Sequence, residues 1–343
     1  MTNAPGDAPH GGEALLPEEA AALLREWVGD GWTVHPLAGD ASVRRYYRIA
    51  LPDGTTRMLA YYPDEVRPQL RRFLAAYEAV APHGCVPGVV SSSEAAVLQH
   101  DVGDRTLFDL LHDDREEGIR RYRDAVALLV AFQRATADAI NPPFTADFFF
   151  DELEMTRDFY VEQLMGTDPG TSAMLTEPFR KLADNVASHP YVLCHRDFHG
   201  QNLHLFNDAL YVIDYQDLRK GPDTYDLASL LRDRGVARIL GDDVELALVD
   251  DYASRIGVDA ATLRHRYFET LLQRSIKILG TFSKQPIVRG RLHYLDFIPA
   301  TIESIRRCLG ELPEHAAIGR AFPMDFQLDA TRERLKGRTH GQT

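Results

Sequence analysis

Residues 192–217 read VLCHRDFHGQNLHLFNDALYVIDYQD, and this stretch decides how the rest of the chain is read. It sets His195, Asp197, Asn202 and Asp214 among short apolar runs. An aspartate held in a loop can orient a hydroxyl and accept its proton. An asparagine shortly after it can turn its amide oxygen to a divalent cation, and a carboxylate at the next strand end can complete the cation's oxygen shell. These are the parts that phosphoryl transfer needs, because that chemistry rests on positioning and charge neutralisation. Asp197 is thus the candidate base, with Asn202 and Asp214 as metal ligands. The run LHLF, the turn NDA and the run LYVID give Asn202 and Asp214 a spacing that suits a hairpin. A zinc site built from His195, Asp197, His199 and His204 is a second reading, since alternating His and Asp on a loop can hold zinc. It leaves Asn202 and the downstream IDYQD without a role.

Bulk properties narrow the classes. At 343 residues the chain exceeds one compact domain, so two lobes sharing a ligand cleft are expected. A formal net charge of −13 argues against a nucleic-acid partner, which demands a basic face, though a small anionic substrate can still bind locally. No run approaches the roughly 20 apolar residues of a membrane span. The N-terminal segment lacks a basic and apolar leader, and Cys85, Cys194 and Cys308 are too scattered for a disulfide framework. The expected setting is cytoplasmic, without membrane or nucleic acid; the oligomeric state is not encoded legibly.

Along the chain, a Pro/Gly-rich tail (1–14) reads as disordered. Residues 15–102 read as a small β-rich lobe: LPEEAAALLREWVGDG is a helix, WTVHPLAGDASVRRYYRIALPDGTTRMLAYYP holds strands and turns, and EVRPQLRRFLAAYEAV is a second helix before two short strands. Residues 103–332 read as a larger, mainly helical lobe around the quoted stretch, and 333–343 as a second disordered tail. The expected class is α+β.

The quoted stretch with its continuation LRKGPDTYDLASLL resembles the catalytic core of the aminoglycoside-phosphotransferase superfamily. LAGDASVRRYYRI, VIDYQD, GPDTYDLASLLRD and LQRSIKILGTF are further similar to the bacterial kinases that phosphorylate N-acetylmuramate and N-acetylglucosamine at the anomeric hydroxyl in cell-wall recycling. The resemblance implies a protein-kinase-like two-lobed fold, ATP and Mg²⁺, and a small sugar substrate. It implies that His195 supports the catalytic loop, that Asp197 is the base, and that Asn202 and Asp214 hold the metal. Asp226 would brace the loop from below, a role compatible with capping the helix that follows. Gly39, Asp40, Ala41 and Ser42 would form the turn that covers the phosphates. Gln99 and Asp101 fall where main chain would meet adenine. Gln216 and Asp217 follow the metal site and are candidates to touch substrate.

One departure stands out: no lysine precedes Lys181, whereas this fold ordinarily places one on the third strand to pair with nucleotide phosphates. Arg44, Arg45, Arg48 or Arg57 could supply that charge, with Arg44 and Arg45 preferred. For the acceptor, Arg219, Lys220, Arg274 and Lys277 are candidates. Arg274 and Lys277, three apart, can share a helix face toward a lactyl carboxylate. Rival readings are a kinase of the same superfamily acting on an aminoglycoside, choline or homoserine, and a nucleotide-binding pseudokinase motivated by the missing lysine.

Overall fold

A computed structural model of the chain describes residues 15–37, 43–83, 86–136 and 140–339. The tail 1–14 and the turn Gly39–Ser42, expected to cover phosphate, lie outside the described residues.

Helix α1 (Glu18–Val28) is followed by β1 (Thr33–Pro36), β2 (Arg45–Ala50) and β3 (Thr56–Tyr61), then α2 (Arg67–Val80), β4 (Val89–Ser92) and β5 (Ala96–His100). Glu18 and Glu19 suit the positive start of α1, and Gly29, at φ 75°, ends it. The strands form one antiparallel sheet in the order β1-β2-β3-β5-β4. Alternation along β2 turns Tyr47 and Ile49 into a core with Ala20 and Leu24 of α1, Leu59 and Leu98. Tyr46 and Arg48 therefore face the other way, which places polar groups on the side opposite α1.

Helices α3 (Leu107–Asp113) and α4 (Arg115–Gln133) come next. Thr106 and Asp109 cap α3 reciprocally: the Asp109 amide donates to Thr106 Oγ1 at 3.0 Å, and Thr106 N donates to Asp109 Oδ2 at 3.3 Å. The chain continues through α5 (Ala146–Thr156), α6 (Pro169–Ser172), α7 (Thr176–Ala187) and β6 (Tyr191–Cys194). The expected hairpin is present as β7 (Leu203–Phe206) and β8 (Ala209–Val212). β9 (Arg219–Pro222) pairs antiparallel with β6. Helices α8 (Tyr225–Arg232), α9 (Val236–Leu240), α10 (Asp242–Ile256), α11 (Ala260–Arg289), α12 (Ile298–Glu311), α13 (Ala316–Ala321) and α14 (Leu328–Thr339) complete the chain.

Two compact units result. The first holds the chain to Ile140 together with Asp197–Leu218, and the second holds Asn141–Arg196 and the chain from Arg219 onward. The first unit thus contains the five-stranded sheet, α3, α4 and the β7–β8 hairpin. The second is built around α11, which packs against α5, α10 and α12.

Helix α11 buries polar as well as apolar side chains, and each buried polar group needs a partner. Glu269 is the clearest case, 3% exposed, accepting from Asn185 Nδ2 at 2.7 Å, His189 Nε2 at 2.9 Å and His315 Nε2 at 2.9 Å. Burial alone would raise its carboxyl; the three hydrogen bonds overcome that and hold it far below the usual carboxylate range. A depressed folded-state pKa contributes stability that is present above the unfolded value, about 4.3 for Glu, and lost progressively as pH falls from there through the folded-state pKa. Scanning calorimetry is therefore expected to show the unfolding temperature falling below about pH 4.3, and Glu269→Gln should flatten that acid limb. An equally steep limb in the variant would assign the dependence to other carboxylates.

The C-terminus departs from expectation. Residues 333–339, read from sequence as disordered, belong to α14. Its polar sequence hides two anchors: Leu335 is buried, and Arg334 donates to the Leu164 carbonyl. Arg332 also pairs with Asp296. No helix among the described residues is long and apolar enough to cross a membrane.

Candidate active site

The candidate catalytic loop is held by backbone geometry. Arg196 adopts φ 83°, a left-handed conformation that costs a side-chain-bearing residue about 1–2 kcal/mol. Within the helical unit, the fully buried Asp226 accepts from His195 N at 2.6 Å and Arg196 N at 2.9 Å. The two charge-assisted bonds hold the strained turn. Asp226 is the second residue of α8, so its place is set where β9 passes into that helix. His195 is buried beside it. Burial raises the Asp226 carboxyl, while His195 and the two backbone donors lower it.

The turn delivers Asp197, exposed, at the start of the segment that belongs to the first unit. Its carbonyl accepts from Asn202 Nδ2 at 2.9 Å and from His199 N at 3.0 Å. The first bond sets the amide of Asn202 and leaves Oδ1 as an acceptor for a ligand. Asn202 in turn gives its carbonyl to Ile213 N at 3.0 Å, one step beyond the Leu203–Val212 register of the hairpin. Asp214 follows directly, at φ 62°, which Asp tolerates better than most residues, and is 45% exposed. The hairpin brings Asn202 and Asp214 side by side, as their spacing suggested.

Arg44 Nη2 lies 3.8 Å from Asp214 Oδ1, and Gln216 Nε2 donates to the same oxygen at 2.9 Å. Arg44 is mostly enclosed, with Tyr62 as a hydrogen-bonding neighbour and its guanidinium 5.9 Å from the Tyr46 ring centroid. Arg45, on the opposite face of the chain, is exposed. Asp217 lies 3.7 Å from Arg72 of α2. Tyr215, between these acids, stacks on Phe73 at 5.1 Å and accepts from Gln99 Nε2 at 3.4 Å.

Asp101 is taken up by Arg48. Arg48 Nε and Nη2 reach Asp101 at 2.6 and 3.2 Å, and its Nη1 and Nη2 both reach Asp104 at 2.7 Å. Gly103 N also donates to Asp101 at 2.9 Å. Burial opposes the ionised Asp101, but these bonds hold its carboxyl below the usual range. Asp101 and Arg48 therefore fix the segment after β5, whose main chain remains the part that can meet a ligand. Sequence reading placed Arg48 among candidate phosphate partners; nothing in the sequence links it to acids so distant in the chain.

Gly200 was also not singled out. A Cβ there would sit 2.9 Å from Tyr122 Oη and 3.0 Å from Phe108 N, so only glycine lets the loop meet α3 and α4 this closely. A glycine inside a polar loop was the available signal. His204 Nδ1 lies 2.8 Å from the Gly103 carbonyl, which ties the hairpin to the segment before α3.

In the second unit, Arg219 of β9 lies over Phe144 and Phe148, 5.1 Å from each centroid. Lys220 is exposed. Arg274 is 6% exposed, pairs with Asp233 at 2.8 Å and stacks over Tyr225 at 4.4 Å. Lys277, one turn on, is 3.6 Å from Glu152, whose other oxygen accepts from Gln273 Nε2 at 2.9 Å. Arg274 and Lys277 share a helix face, but Asp233 and Glu152 already balance their charges.

The chain matches the phosphotransferase enzyme family over residues 33–266. Among curated proteins, it is 29% identical over 297 residues to the N-acetylmuramate/N-acetylglucosamine kinase of Pseudomonas putida, covering 82% of this chain and 85% of that protein. It is 25% identical over 317 residues to the kinase of that name from Pseudomonas aeruginosa, covering 87% and 92%. Among solved structures, the ADP-bound aminoglycoside phosphotransferase APH(2'')-Ib superposes with a TM-score of 0.57 at 15% identity, over 88% of this chain and 99% of that one. A choline/ethanolamine kinase family protein from Mesorhizobium loti gives 0.57 at 15% identity, over 92% and 97%.

Proposed function

The chain belongs to the phosphotransferase enzyme family, with its protein-kinase-like fold, and from that premise we propose that it transfers the γ-phosphoryl group of ATP to the anomeric hydroxyl of an N-acetylated amino sugar. The acceptor class is supported by the names of its curated relatives, N-acetylmuramate/N-acetylglucosamine kinases matched over most of their length. The observation that carries the mechanism is the bond from Asn202 Nδ2 to the Asp197 carbonyl, which ties the candidate base to the candidate metal ligand.

An oxygen-only donor set, Asn202 Oδ1 and the Asp214 carboxylate, fits a hard cation such as Mg²⁺. Bound there, the cation would neutralise charge on the nucleotide phosphates. Asp197 orients the acceptor hydroxyl and takes its proton late, since a loose transition state needs little activation of the nucleophile. Gln216 holds Asp214 in place through its 2.9 Å bond. Arg44 supplies a positive charge beside Asp214 and stands in for the lysine that the third strand lacks.

The two arginines of the sequence reading are then separable. Arg44→Ala is expected to raise KM for ATP about tenfold, the loss of one charge-assisted contact, whereas Arg45→Ala should stay within about twofold. Steady-state kinetics with varied nucleotide checks both, and equal effects would remove Arg44 from this role.

The assignment as a whole is tested by ADP release with Mg-ATP against N-acetylglucosamine, N-acetylmuramate, kanamycin, choline and homoserine, with phosphorus NMR of the product. An acceptor-dependent anomeric sugar phosphate is expected. Turnover only with an amine or alcohol would discard the sugar assignment and keep the catalytic groups. Mg-ATP binding without turnover on any acceptor would favour the pseudokinase reading.

A further inference from the structure

We propose that His265, Glu269 and Glu314 form a binding site for a divalent transition metal of the zinc class, built into the helical unit and independent of the phosphotransfer residues. Their ligating atoms all lie within 4.8 Å of one another. His265 and Glu269 are a helical turn apart on α11 and so project from one face, while Glu314 comes from the short turn Pro313–His315.

The buried member is already arranged as a ligand. Glu269 Oε1 accepts from Asn185 and His315, and Oε2 accepts from His189 at 2.9 Å. These donors fix the carboxylate as the outer hydrogen-bonding shell of a metal ligand does. An oxygen has a second lone pair, and His265 Nδ1 is 3.7 Å from Oε2. On its other side, His265 Nε2 lies 2.6 Å from Glu314 Oε1, a contact that shares a proton which a cation would displace.

Tetrahedral zinc, with bonds of about 2.0–2.1 Å, sets its donors about 3.4 Å apart. His265 meets Glu269 through Nδ1 and Glu314 through Nε2, so an ion held on Nδ1 requires Glu314 to leave Nε2 and swing to the Glu269 side of the ring. Solvent beside His265 and Glu314, at 50% and 31% side-chain exposure, leaves room for that movement, while Glu269, at 3%, stays in place. Their exposure also lets water fill the fourth position. An imidazole nitrogen among carboxylates selects zinc and its neighbours over Mg²⁺ or Ca²⁺, which take oxygen throughout. A bound ion would join α11 to the turn before α13 and, through His189, to the residues leading into β6.

The test is calorimetric titration of metal-stripped enzyme with Zn²⁺ in excess Mg²⁺, which saturates oxygen-only sites. Wild type is expected to bind one equivalent and to unfold at a higher temperature with zinc present. His265→Ala and Glu314→Gln should each weaken binding about tenfold or more. Asp214→Asn should bind zinc as wild type does. Because His265 is half exposed, His265→Ala should keep the metal-free unfolding temperature; where it does not, Glu314→Gln carries the comparison. Absence of saturable wild-type binding below about 100 μM overturns the proposal, as does unchanged affinity in both variants. Loss of the zinc equivalent in Asp214→Asn would move the ion to the phosphotransfer residues and overturn it equally.

Discussion

Asp197→Asn is expected to lower kcat about 10³-fold, within the range for a positioned general base, while leaving Mg-ATP affinity within a few-fold of wild type. The separation follows from which atoms do what. The contacts that shape the loop use the Asp197 carbonyl, with Asn202 Nδ2 and His199 N as donors, so exchanging the carboxylate for an amide spares them. In the proposed site the nucleotide side rests on Asp214, held by Gln216 and facing Arg44, and those groups are untouched. The measurement pairs steady-state turnover with a calorimetric nucleotide titration. Full turnover in the variant would remove Asp197 as the base. Loss of both turnover and nucleotide binding would instead show that the side chain supports the hairpin.

The second large effect is on folding. Asp226→Ala is expected to cost about 3–5 kcal/mol of stability, because two buried backbone N–H groups lose their acceptor and each orphaned group costs about 1–3 kcal/mol. The bonds concerned are short, 2.6 and 2.9 Å, and the site has no exposure through which water could replace the carboxylate. They also hold Arg196 at φ 83°, so their loss lets the turn relax to an ordinary conformation and misplaces the next residue, Asp197. Turnover should fall together with stability. Asp226→Asn keeps an acceptor oxygen and the side-chain shape, so about half the loss is expected. Denaturant midpoints with unchanged slopes provide the reading. An alanine variant within about 1 kcal/mol of wild type would mean that the loop is held by something else.

Much of this site was legible. The nearness of Asn202 to the Asp214 end of the hairpin follows from spacing: LHLF and LYVID have one natural register, and that register joins Asn202 to the strand end. The turn chemistry of NDA and the cap at Thr106 are local, written in consecutive residues. The polar tail was misjudged for the opposite reason. Helix α14 has little apolar periodicity and takes its stability from Leu335 and from the Arg334 bond to Leu164, a partner far away in the chain.

The same division runs through the whole protein. The sequence by itself determined most of the strands and helices and the hairpin that joins Asn202 to Asp214, since hydrophobic period, capping and turn residues act over a few positions. Tertiary structure alone decided which arginine meets which acid. Arg44 and Arg48 are both candidates in the sequence for the missing lysine's charge, yet Arg44 reaches Asp214 and Arg48 is consumed by Asp101 and Asp104. It also decided that FFFDELEMTRDFYVEQLM, which reads as one helix, widens into a π-helical turn at Arg157–Leu164. There Thr156 Oγ1 bonds the Ile276 carbonyl at 2.7 Å, and Gly280 lets the two helices close together. Long side chains and close backbone approaches are settled by neighbours distant in sequence, and only the folded chain brings those neighbours into contact.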